Sequence, residues 1–228
     1  MEEFLQKLAL IAPPLLMAMV AHEYAHGWAA RQQGDNTAFM LGRLTLNPLK
    51  HIDPFMTILL PLFLAWAGGP IFGGAKPVPV NPRNYRNYKR GDIIVSLAGV
   101  TTNVIIAILS VPLIILVGLI GDQLPGLIRP LGVLQQMLVW GVIINLFLAA
   151  FNLLPIPPLD GSHVFKYLLP PRWALAYEQA GRFGLLILFA FLYMGRGLLM
   201  WWLTPVYILH GAAQALYLPF MLPDPFNS

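Results

Sequence analysis

From Ile93 to Ile120 no Asp, Glu, Lys or Arg interrupts the chain, and that run is long enough to cross a hydrocarbon core of about 30 Å as a tilted helix. Leu8 to Ala30 and Leu131 to Leu154 are similarly apolar, and Phe183 to Leu222 resumes the pattern after a polar stretch, Lys166 to Arg182, with Arg196 and Pro205 as interruptions. In lipid every backbone N–H and C=O must be paired inside the chain, and a helix pairs them locally, so runs of this kind dictate a helical bundle. Composition agrees: 57% of residues are hydrophobic, 11% are charged, and the mean hydropathy is +0.67, which excludes an ordinary soluble domain. The expected fold is an all-α polytopic membrane protein with about four to six membrane segments.

Between the first and third apolar segments the chain predicts a short β-like or re-entrant insertion. Pro54 to Trp66 gives only about 20 Å of helix, too little for a full crossing. Gly68-Gly69-Pro70 and Gly73-Gly74 break it, and Ala75-Lys76-Pro77-Val78-Pro79-Val80 then alternates proline with residues that suit an extended chain. That strip reads either as an extended edge or as a rigid linker.

Charge writes the topology. Eleven of the fourteen Lys and Arg lie in Arg31 to Arg90 and Lys166 to Arg182, which marks those loops as cytoplasmic and the N-terminus as external. The net charge of +4 therefore reports orientation, and no nucleic-acid partner is expected. The opening Met1-Glu2-Glu3 lacks a basic leader region, so the first segment is expected to be retained. With no cysteine, disulfides are excluded and any metal must be held by His, Asp or Glu.

Against this background the segment His22-Glu23-Tyr24-Ala25-His26 stands out, because ionisable groups are costly inside an apolar helix. Residues four apart on a helix are rotated by about 40° and separated by about 6 Å, so the imidazoles of His22 and His26 can converge on one ion. Glu23, beside the first imidazole, is where a zinc hydrolase of the His-Glu-x-x-His type keeps its acid/base carboxylate. Catalytic zinc usually takes three protein ligands and one open position, so a third is required. Asp160 is the best candidate: it follows a helix end broken by Pro155, Pro157 and Pro158, where irregular backbone is tolerated only inside protein or beside a water-filled cavity. It could also serve simply as a turn-former before Gly161. His51 reads as an interfacial cap, with gating or a secondary metal contact as the alternative, and His210 carries no assigned role.

Three stretches together resemble the site-2 protease family (peptidase family M50), intramembrane zinc metalloproteases, in its short prokaryotic-type form. They are the His22-Glu23-x-x-His26 motif, the later N-x-x-P-x-x-P-L-D-G of Asn152 to Gly161, and the intervening G-x-K-P-V-P-V of Gly74 to Val80. Leu97-Ala98-Gly99 with Asn103 resembles a further helix motif of the family, although Val100 stands where proline is usual. The resemblance covers roughly residues 20 to 165. It implies that His22, His26 and Asp160 hold one Zn2+, that Glu23 is the catalytic acid/base, and that Asn152 contacts the substrate or its developing oxyanion. His163 stands where the family commonly has a different run, and its role is open. The implied organisation is a single intramembrane metalloprotease domain over residues 1–228, with its catalytic core at about 8–165 and C-terminal membrane segments at about 183–222.

The expected reaction is hydrolysis of a peptide bond within or near a transmembrane segment of a membrane-protein substrate. The strip Lys76, Pro77, Val78, Pro79 and Val80 offers backbone on which an unwound substrate could lie as an added strand. Expected partners are a single-span protein or peptide substrate and the lipid bilayer, with a homo-oligomer or a regulatory membrane partner compatible. The expected location is the cell (plasma or inner) membrane, multi-pass, with the site toward the cytoplasmic face. A membrane metal-ion transporter or binding protein would also bury His, Glu and Asp, but it gives no reason for a Glu directly after the first ligand. A catalytically silent protein that captures membrane helices would need no zinc.

Overall fold

The computed structural model describes residues 2–66 and 73–226. In chain order its α-helices are α1 (Glu2–Gln33), α2 (Thr37–Met40), α3 (Leu60–Trp66), α4 (Tyr88–Gln123), α5 (Ile128–Asn152), α6 (Asp160–Phe165), α7 (Pro171–Ala180), α8 (Gly184–Met194) and α9 (Arg196–Tyr217). No strand occurs among the described residues. Four stretches are long and apolar enough to cross a membrane: Leu5–Gln33, Tyr88–Gln123, Pro125–Asn152 and Pro171–Met194. At most 33% of the most apolar part of each is buried, so their hydrophobic surface faces outward, as lipid requires and water does not tolerate.

Several boundaries differ from the sequence reading. Pro13 and Pro14 lie inside α1 without ending it. A membrane helix tolerates proline when neighbouring groups re-pair the freed carbonyls. Arg129 lies in the first turn of α5. The polar stretch after Lys166 is helical from Pro171, and a tight turn at Gly181–Phe183 leads it into α8. Arg172, Glu178 and Gln179 conceal a helix whose other residues, Trp173, Leu175 and Tyr177 among them, are apolar or aromatic. Pro54–Leu59 forms a widened helical turn that continues as α3, and Asp53 caps it by accepting from the N–H groups of Phe55 and Met56 at 3.0 and 2.8 Å. Gly68-Gly69-Pro70 lies outside the described residues.

The chain divides into two compact units whose boundaries fall inside α1, α4, α5 and α9. One comprises Met1–Ala18, Asn103–Leu148 and Leu203–Ser228. Its buried amide side chains are paired. Asn103 donates from Nδ2 to Ala18 O and to Asn145 Oδ1, and Asn145 donates to Gly141 O. Gln135, fully buried, donates to the carbonyls of Ile114 and Phe220 and accepts from Leu222 N–H at 2.9 Å, which ties the chain after α9 to the helices.

The other unit comprises Met19–Thr102 and Ala149–Trp202. Ala29, Ala30, Tyr85 and Val95 form one of its apolar clusters; Phe151, Leu154, Leu159 and Leu188 form another, backed by Trp202, whose indole N–H reaches Ala150 O at 2.7 Å. The turn after α1 is pinned by Asp35, which has no exposed surface and accepts from Thr37, from Asn81 N–H and from Asn84 Nδ2. Burial would raise the Asp35 carboxyl, but these donors outweigh it and hold its pKa below the ordinary value.

Candidate metal centre

Within this second unit, α1 presents His22 and His26 on one face, one helical turn apart, with ring centroids 4.6 Å apart and planes at 79°. Their Nε2 atoms are 3.0 Å apart. Asp160, the first residue of α6, places Oδ2 3.1 Å from His22 Nε2 and 3.3 Å from His26 Nε2. The loop before it, with a cis bond between Pro157 and Pro158, returns the chain tightly. Gly161 follows because a Cβ there would lie 2.2 Å from Leu153 O.

Two observations make this trio a fit for a cation. His26 Nδ1 lies 2.7 Å from the Val95 carbonyl, which can only accept, so Nδ1 carries a proton and, in the neutral form that binds metal, the ring turns a lone pair on Nε2 toward the cluster. Asp160 Oδ2 is buried without a hydrogen bond among the described residues. Lone pairs converging in a buried site repel unless a cation or a proton sits among them. Zinc bonds of about 2.0–2.1 Å in a tetrahedral arrangement put donor atoms about 3.3 Å apart, close to the 3.0, 3.1 and 3.3 Å seen here.

α4 packs against the rings, and Gly99 is one of the positions that face them. A Cβ on Gly99 would lie 2.5 Å from His22 Cε1 and 2.6 Å from Nε2 of both His22 and His26. The sequence marked Gly99 only as part of a motif; its steric role needed coordinates.

Glu23 points to the strip. Its Oε2 accepts from Val78 N–H at 2.7 Å, and Val78 is buried against Gly27 of α1. The strip is held from the same side elsewhere: Gly74 N–H donates to Met56 O and Lys76 N–H to His51 O, while Thr57 Oγ1 donates to Gly74 O. Arg43, which the sequence did not single out, donates to the carbonyls of Lys50, Lys76 and Pro77. His51 is buried, with Nε2 2.9 Å from Thr45 O, so it braces this loop and is not part of the trio. Asn152 is the last residue of α5, half-buried, at the start of the turn that carries Asp160. His163 lies 3.5 Å from Asp92, apart from the trio.

Similarity to known proteins agrees in kind. The model of peptidase family M50 matches residues 122–195, which include the Asn152-to-Asp160 turn. The "Putative zinc metalloprotease YwhC" of Bacillus subtilis is 39% identical over 76% of this chain and 75% of its own.

The chain belongs to peptidase family M50.

As a member of the site-2 proteases it is a metalloprotease. Two M50 relatives from mycobacteria, each named "Putative zinc metalloprotease Rip2", match less closely. That of Mycolicibacterium smegmatis is 31% identical over 78% of this chain and 64% of its own, and that of Mycobacterium tuberculosis is 30% identical over 84% and 69%. No solved structure matches this chain at comparable stringency.

Proposed function

We propose that this M50 protease is a zinc-dependent intramembrane endopeptidase that cuts a peptide bond within or near a membrane span of a substrate protein. The observation that carries the reading is the trio of His22, His26 and Asp160, whose ligand atoms meet at zinc-like separations, the two histidines on a helix apolar enough for a bilayer. These three residues would hold the ion. Bound there, zinc would supply a Lewis acid that acidifies water and polarises the scissile carbonyl.

Glu23 is the proton carrier in this reading. Val78 N–H fixes Oε2, which leaves Oε1 to take a proton from the attacking water and to return it to the leaving amine. Asn152, at the rim of the same proline-broken turn, would donate to the developing oxyanion.

Support for an added-strand mode comes from the strip itself. Residues 74, 76 and 78 turn their amides to the protein with the period of two of an extended chain. The other edge, residues 75, 77 and 79, has proline at two of its three positions, so it is poor in donors and would accept through the carbonyls that Arg43 does not hold. A substrate laid there must be unwound and must donate its own N–H groups. The basic loops argue for a cytoplasmic-facing site in the cell membrane, reached by a single-span substrate from the bilayer.

The deciding experiment compares wild type with Glu23→Gln on single-span substrates, with and without chelator. Cleavage should vanish in the variant while one zinc per chain is retained. A variant that still cleaves sinks the role of Glu23, and chelator-resistant cleavage by wild type sinks the metal.

A further inference from the structure

Asp92 lies in the first turns of α4 and is only 4% exposed, an expensive place for a carboxylate that the mechanism above does not use. It gathers three side chains from one short stretch. Tyr167 donates its hydroxyl to Oδ2 at 2.8 Å, Lys166 Nζ lies 2.8 Å from the same oxygen, and His163 Nδ1 lies 3.5 Å from Oδ1. Lys166 also reaches Glu178 of α7 at 3.0 Å. Burial would lower the Lys166 pKa, but Asp92 and Glu178 outweigh it and raise it, so the cation persists at any working pH.

That stretch is the one that begins with Asp160. A six-residue helix has no stability of its own, so its placement is set by what it is fastened to. Gly161 fastens one end against the Leu153 backbone; Asp92 fastens the other. Residues 92, 95 and 99 also fall on one face of α4. Asp92 holds the Asp160 segment, the Val95 carbonyl orients the His26 ring, and Gly99 leaves room for both rings.

We propose that Asp92 is a positioning residue of the metal centre: through Lys166 and Tyr167 it sets where the Asp160 carboxylate stands relative to the imidazole pair. This rests on the trio being a zinc site. A merely structural ion pair would change the melting temperature and leave the affinity of the folded protein for zinc alone.

The test uses the full chain in detergent, well below each variant's melting point. Zinc affinity is measured by competition with a chelator, and ligand geometry by the visible spectrum of the Co2+-loaded protein. Asp92→Asn should bind zinc about 10- to 100-fold more weakly, as loss of outer-shell support does elsewhere, with a shifted, weaker Co2+ band. Tyr167→Phe, which keeps the ion pair, should weaken binding by about 3-fold, a fraction of that range. Wild-type affinity and spectrum in Asp92→Asn overturn the proposal. Should that variant not fold, the same result in Tyr167→Phe does so. If instead wild type binds no zinc, or His22→Ala binds it unchanged, the failure belongs to the zinc reading itself.

Discussion

Replacing Gly99 by alanine sets two effects of opposite sign against each other. Alanine is better than glycine inside a helix by roughly 0.5–1 kcal/mol, so α4 itself should gain. The new Cβ, however, would stand 2.5–2.6 Å from His22 Cε1 and from both Nε2 atoms, where ordinary contact begins near 3.5 Å. One or both rings must retreat by about 1 Å, several times the roughly 0.2 Å tolerance of a metal–ligand bond. His26 cannot yield without breaking its 2.7 Å bond to Val95 O. Without metal the displacement of an imidazole is set against the gain in helix propensity, so the apo protein should melt within a few degrees of wild type. Zinc affinity should fall by at least about 10- to 100-fold, or about 1.4–2.7 kcal/mol. The assay is thermal melting of purified protein before and after chelation: wild type loses the stabilisation that bound zinc confers, whereas Gly99→Ala shows almost no difference. Equal zinc affinity and an equal chelator-dependent shift in the variant would refute the claim that this glycine makes room for the ligands.

Other expectations follow from single contacts. Val78→Pro removes the N–H that holds Glu23 in a segment already extended between two prolines, so cleavage should drop about 10- to 100-fold with zinc content unchanged, as activity and metal analysis would report. Asp35→Ala strands the Asn81 and Thr37 amides and should cost about 2–6 kcal/mol of stability, at about 1–3 kcal/mol per orphaned group. Because the folded pKa of Asp35 is lowered, its contribution is complete above the unfolded value of about 3.9 and fades as pH falls through the folded one. The melting temperatures of wild type and Asp35→Asn should therefore differ at pH 7, begin to approach each other below about pH 4, and converge only once the pH is below the folded pKa. Gln135→Leu leaves Leu222 N–H and Phe220 O without their partner; limited proteolysis should then cut after α9 faster than in wild type, with a loss of about 1–3 kcal/mol.

The membrane class, the long helices and the His-Glu-x-x-His pair were legible without coordinates, because each depends on residues close in sequence. Apolar run length dictates a spanning helix, and a spacing of four places two imidazoles on one face. Even the third member of the trio could be picked out, since few carboxylates occur and Asp160 follows a helix end broken by three prolines. The helix boundaries were less legible where charges and prolines, as over Pro171–Ala180, mimic an interruption that local pairing overrides.

What the tertiary structure alone decided is how distant groups are held. Val95 orients His26, Gly99 admits both rings, Val78 clasps Glu23, Arg43 and His51 brace the strip, and Asp92 fastens the turn that bears Asp160. Most of these act through backbone atoms or through empty space, which have no residue type to read. The rest join residues more than 30 positions apart or hidden in unremarkable loops, and only packing brings such groups within the few ångströms over which hydrogen bonds and steric contact operate.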